Sequence, residues 1–123
     1  MSLKIYAYEK CGTCRKALNW LDAHGVLYEV IPIRETPPTI KELQLVLESI
    51  DGNVRKLFNT SGNDYKALNM KERLPNLEIK EALKLLNQNG NLVKRPFVVG
   101  DDVCLVGFNE EAWKETLSAY YSK

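Results

Sequence analysis

The sequence has little of what would mark a membrane, secreted or nucleic-acid-binding protein. No apolar run approaches the ~18 residues needed to cross a bilayer as a helix, so no membrane role is expected. The N-terminal stretch lacks the basic-then-apolar pattern of a secretion signal, which makes a cytoplasmic location the expectation. Charge of one sign is missing too, with 17 Lys and Arg against 16 Asp and Glu. Nucleic-acid modules usually carry a basic excess or stripe, so direct binding to nucleic acid is not expected. Cysteine is scarce, with three in 123 residues. That is too few for a disulfide framework, and in a cytosolic chain it points to redox or metal chemistry. Repeats, low-complexity tracts and flexible linkers are absent as well.

What remains is a chain with 45% hydrophobic residues, enough to build a core without disulfides. The hydrophobic pattern gives its organisation. Leu3 to Tyr8 alternates with period two and predicts a strand. Cys14, Ala17, Leu18 and Leu21 then recur at helical spacing, and Gly25 stops the helix. Val26 to Ile33 is β-branched and aromatic, a second strand closed by prolines. Thr39 and Glu42 have the capping-box spacing ahead of a helix carrying Ile40, Leu43, Leu47 and Ile50. Val54 to Phe58 predicts a short helix, 59–64 a loop, and Tyr65 to Met70 a further helical turn. Asn76 is the expected cap of a helix burying Ile79, Ala82, Leu83 and Leu86. Phe97 to Val99 and Val103 to Val106 flank Gly100-Asp101-Asp102 as a hairpin, and Asn109 caps a last helix.

This order, β-α-β, a helical insert, then β-β-α, predicts an α/β protein with the thioredoxin-like arrangement of a mixed sheet flanked by helices. We expect a single domain over 1–123, with 1–36 and 91–123 forming the thioredoxin core and about 37–90 inserted between the two halves.

The most informative feature is Cys11-Gly12-Thr13-Cys14 at the first strand-to-helix turn. The spacing lets two sulfurs close a small ring without unwinding the helix. The location puts the first thiol near free backbone N–H groups and the positive end of the helix dipole, which favours thiolate. Lys10 and Arg15 add positive charge nearby in sequence. Cys11 is therefore the expected nucleophile and Cys14 the resolving thiol. A zinc site is the alternative, but only Cys104 and His24 remain to complete it, so no metal is expected. Cys104 is most simply a small core hydrophobe, and His24 a surface residue complementing a helix C-terminus.

Arg95-Pro96 precedes the third strand, where thioredoxin-like folds place a cis proline against the C-x-x-C turn. In that geometry Arg95 would face the thiolate, steadying it or holding an anionic substrate. A trans proline with a surface arginine is the plain alternative.

Cys11-Gly12-Thr13-Cys14-Arg15-Lys16-Ala17, Leu57-Phe58-Asn59-Thr60-Ser61-Gly62 with Tyr65, Arg95-Pro96 and Gly107-Phe108-Asn109 together resemble the ArsC/Spx family nearly end to end. That family comprises glutaredoxin-type arsenate reductases and the Spx/MgsR regulators that bind bacterial RNA polymerase. The resemblance implies a thioredoxin-like fold, a bacterial cytoplasmic setting and an active cysteine at Cys11. It also implies Gly12, Thr13, Arg15, Pro96 and Asn59 as binding residues around Cys11, Cys14 and Arg95. Two departures bear on the substrate. The reductases have serine where this chain has Cys14, and of their three arginines only Arg95 is matched, with Asn59 and Val106-Gly107 at the other places. Losing two guanidinium donors counts against arsenate itself.

The expected function is a thiol–disulfide oxidoreductase without a bound cofactor, re-reduced by glutathione and glutaredoxin or by thioredoxin. The alternative is a redox-switched regulator whose partner is the C-terminal domain of the RNA polymerase α subunit. In such regulators that contact involves a glycine after the second helix, here Gly52.

Overall fold

The computed structural model describes residues 3–121. The chain divides into two compact units, Met1–Pro32 with Arg95–Lys123, and Ile33–Lys94.

The first unit contains a four-stranded sheet in the order β2-β1-β3-β4. Strand β1 (Leu3–Ala7) pairs in parallel with β2 (Tyr28–Pro32), through helix α1 (Gly12–Ala23). On its other side β1 pairs antiparallel with β3 (Phe97–Val99), which continues through the predicted hairpin into β4 (Cys104–Val106). A short parallel pair needs a helical crossover and an antiparallel pair only a turn, so this is the thioredoxin-like arrangement that the β-α-β and β-β-α halves predict. Leu3, Ile5 and Ala7 of β1 and Val98 of β3 share a buried cluster with Cys14, Ala17, Trp20 and Leu21 of α1. Helix α6 (Glu110–Leu117) adds Trp113 and Leu117 to it. Asn109 caps α6 as expected, its side-chain oxygen accepting from the Ala112 N–H at 3.0 Å. The fully buried Trp113 indole donates to the Gly107 carbonyl at 3.1 Å, which ties α6 to the end of β4 and satisfies a donor that would otherwise be costly.

The second unit is mostly helical: α2 (Ile40–Ser49), α3 (Asn63–Ala67), α4 (Met70–Arg73) and α5 (Ile79–Gln88), with single 3-10 turns between them. The Thr39–Glu42 capping box is formed in both directions. An isolated bridge joins Phe58 to Val93, a short extended pairing in a region whose sequence shows no strand signal.

Four local expectations need correction. Helix α3 begins at Asn63, inside the stretch expected to be loop. Helix α5 is capped at Glu78, whose N–H donates to Glu81 at 3.3 Å, because Asn76 is taken up in the 3-10 turn Leu74–Asn76, which contains Pro75. Ile79, expected in the core, is 50% exposed. Its position in the first turn of α5 puts it at the helix end, where periodicity says little about which neighbour covers it. Ile40, expected on the apolar face of α2, is likewise 41% exposed in that helix's first turn. Strand β2 lies at the sheet's edge, with its Val30 46% exposed.

Candidate active site

Cys11 is the N-cap of α1, in extended backbone conformation, so the chain turns there and the first N–H groups of the helix are left to its side chain. Its own N–H donates to the Tyr8 carbonyl at 2.9 Å, and its carbonyl accepts from Arg15 at 3.0 Å, the first bond of the helix. Gly12 and Thr13 are the exposed first residues of α1; Cys14, one turn in, points into the core and is fully buried.

These positions give the two thiols opposite acidities. Partial burial pushes Cys11 up, but hydrogen bonds from the backbone N–H groups of Cys14 and Thr13 and from the Cys14 thiol, with the charge of Arg95, outweigh it and leave Cys11 below the ordinary thiol range. Cys14 moves the other way, to about 11, through burial and through the hydrogen bond and charge of Cys11. The Tyr8 backbone and Arg95 partly oppose that rise. The charge that reaches Cys11 is therefore that of Arg95, whereas Lys10 and Arg15 stand exposed. This corrects the expectation drawn from their nearness in sequence.

The Arg95–Pro96 peptide is cis, and Pro96 is buried at the start of β3 with its carbonyl accepting from Gly107 N–H at 2.8 Å. The Arg95 guanidinium carbon lies 5.2 Å from the centre of the Tyr8 ring. Among the described residues, Arg95 Nη1 is a buried side-chain donor with no hydrogen-bond partner.

Of the residues singled out in the sequence, Cys11, Gly12, Thr13, Cys14, Arg15, Arg95 and Pro96 belong to the first unit. Asn59 belongs to the second, where its N–H donates to the Leu92 carbonyl at 2.8 Å and its carbonyl closes a turn with Gly62 at 3.0 Å. Tyr8 was not among the expected site residues. Its one legible signal is an aromatic side chain just past the end of β1, three residues before Cys11. Cys104 differs from expectation, whereas His24 meets the helix C-terminus as expected, its Nδ1 lying 2.8 Å from the Trp20 carbonyl oxygen, but half-buried rather than on the open surface. Cys104 is half-buried, because β4 is the sheet's other edge strand. The His24 ring lies in an aromatic cluster, 4.1 Å from the Trp20 ring and 4.8 Å from Tyr121. Among the described residues no group of three or more His, Cys, Asp or Glu is arranged to hold a metal ion, and no helix is long and apolar enough to cross a membrane.

The sequence pattern of the ArsC family matches residues 6–116. The chain belongs to the ArsC family. The uncharacterized protein YusI of Bacillus subtilis is 44% identical over 94% of this chain and 98% of its own length. A crystal structure of an ArsC-family-related protein from Bacteroides fragilis superposes with a TM-score of 0.86 at 39% identity, covering 94% of this chain and 99% of that one. The global transcriptional regulator Spx of Enterococcus faecalis is 30% identical over 89% of this chain and 81% of its own length. The ArsC family thus accounts for the fold, and for both the reductase and the regulator likeness of the motifs.

Proposed function

We propose that this ArsC-family chain is a thiol–disulfide oxidoreductase in which Cys11 attacks and Cys14 resolves. The observation that carries this reading is the split between the two thiols: an accessible, acidified Cys11 at a helix N-terminus, and a buried Cys14 held protonated one turn behind it. The Cys11 thiolate attacks one sulfur of a substrate disulfide. The substrate S–S bond breaks, its other sulfur leaves as a thiolate and takes up a proton, and a mixed disulfide forms on Cys11. Cys11 then no longer carries charge or accepts a hydrogen bond, so two of the influences that raise Cys14 vanish while the Tyr8 backbone and Arg95 still lower it. Cys14 loses its proton more readily at that moment and attacks Cys11 Sγ. The second substrate thiol is expelled and the Cys11–Cys14 disulfide remains. External thiols, from glutathione with glutaredoxin or from thioredoxin, return the pair to the dithiol. The unpartnered Arg95 Nη1 supports a substrate with an anionic group near the attacked sulfur.

The test is reduction of a glutathione mixed disulfide, followed in each reductant system. Turnover that is lost in Cys11→Ser, with a mixed disulfide trapped on Cys11 in Cys14→Ser, is the expected result. Turnover unaffected by Cys11→Ser would sink the reading.

A second reading is favoured by the likeness to Spx and by Gly52. This residue has φ +76, open space around its Cα, and a place on a cavity of about 460 Å³ lined also by Arg55, Tyr65, Lys71 and Leu74. In that reading the same disulfide is a switch, and the partner is the C-terminal domain of the RNA polymerase α subunit. RNA polymerase co-purifying in a complex that resists reductant would favour it over turnover.

A further inference from the structure

A guanidinium with a buried, unpaired N–H ordinarily rotates until water or an acceptor satisfies it, because leaving a donor unmet is costly. Arg95 Nη1 is such a donor, so something else holds this side chain in place. The Tyr8 ring is positioned to do so, with the guanidinium carbon 5.2 Å from its centre, inside the ~6 Å reach of a cation–π interaction. Tyr8 also meets both thiols through its backbone. Its carbonyl accepts the Cys11 N–H at 2.9 Å, and its backbone group forms the hydrogen bond that favours the Cys14 thiolate. One residue thus fixes the cysteine turn with its main chain and the nearby cation with its side chain. Resting on the reading of Cys11 as nucleophile, we propose that Tyr8 is a positioning residue whose ring holds the Arg95 guanidinium where its charge serves Cys11.

The consequence is separable by substitution, since the backbone contacts survive any change of side chain. Removing the ring frees Arg95 to turn toward water, and part of its influence on Cys11 is lost. Removing only the phenol oxygen leaves the ring face and should change nothing.

The experiment is the pH dependence of Cys11 alkylation, in a Cys104→Ala background so that β4 contributes no thiol. In Tyr8→Leu the midpoint should move upward, with about a two- to fivefold smaller ionisation constant for Cys11, the scale of an exposed cation–π pair. Tyr8→Phe should match the parent. In an Arg95→Ala background Tyr8→Leu should add no further shift. Phenylalanines of increasing fluorination at position 8 keep the ring's shape while weakening its negative face. They should raise the midpoint in graded steps, which gives the same test without the packing change of leucine. An equal shift from Tyr8→Leu with and without Arg95, or no graded response to fluorination, would overturn the proposal. If the parent's Cys11 titrates as an ordinary thiol, the nucleophile assignment itself fails. That outcome is read before any Tyr8 variant is made.

Discussion

In the proposed exchange Cys14 would do more than resolve a mixed disulfide, because a hydrogen bond from its thiol to the Cys11 sulfur lowers Cys11 and favours the thiolate. Cys14→Ala removes that donor, whereas Cys14→Ser replaces it with a hydroxyl, a better donor than S–H. Hydrogen bonds to charged groups contribute about 1.5–3 kcal/mol, and a thiol belongs at the weak end. At about 1.4 kcal/mol per pKa unit, Cys14→Ala should raise the Cys11 midpoint by about one unit. Cys14→Ser should leave Cys11 at least as acidic as in the parent. Both variants lose the second titration step near 11 that belongs to Cys14. Alkylation rates against pH, with Cys104 replaced by alanine, separate these outcomes in single-thiol proteins. An unshifted Cys14→Ala profile, or Cys14→Ser rising as far as Cys14→Ala, would refute the donor role. The resolving role would then be all that remains for Cys14.

Two further outcomes follow from the geometry. Arg95 is the weakest of the influences lowering Cys11, so Arg95→Ala should raise its midpoint by less than about one unit, with Arg95→Lys in between; a shift of two units or more in alkylation profiles would mean that the cation, not the helix N-terminus, makes the thiolate. In the second unit, a Cβ on Gly90 would stand 1.8 Å from the Ile33 carbonyl oxygen and 2.7 Å from its carbon. Backbone cannot yield as a flexible side chain does, so Gly90→Ala should cost about 3 kcal/mol or more in urea unfolding, and a midpoint equal to the parent's would show that Ile33 and Gly90 are not in this contact.

Most of the fold was legible because its signals are local. The Thr39–Glu42 capping box, the Asn109 cap and the Gly100–Asp102 turn each satisfy backbone groups within a few residues, so spacing alone reveals them. The misreadings concern what lies across the fold. Helical periodicity finds a face but not its cover, so it places Ile79 in a core that does not reach it. Of the sources of positive potential expected at Cys11, the helix N–H groups and Arg95 lower it, but Lys10 and Arg15, the cations nearest in sequence, do not. Both stand exposed, while backbone N–H groups and the distant Arg95 set the local field. Tyr8 looked like one more strand aromatic, since nothing in a sequence pairs a ring with a guanidinium that the β1–β3 register brings back to it.

That field also bears on the choice of substrate. The Cys11 thiolate is held by two backbone N–H groups, a thiol and one guanidinium, so most of its support is neutral and oriented rather than charged. An arsenate ion brings its own negative charge next to the thiolate, and like charges at close range repel unless several cations neutralise them. Where the resemblance would put two further arginines, the sequence has Asn59 and Val106-Gly107, none of which carries charge. A disulfide asks for less. Its reacting sulfurs are neutral, and attack only moves one negative charge along a line of three sulfurs, from Cys11 to the leaving thiolate. Donors fixed at a helix N-terminus stabilise the starting thiolate without reorganising. In the proposed exchange Cys14 fits the same substrate, because a second sulfur would release the adduct within the chain.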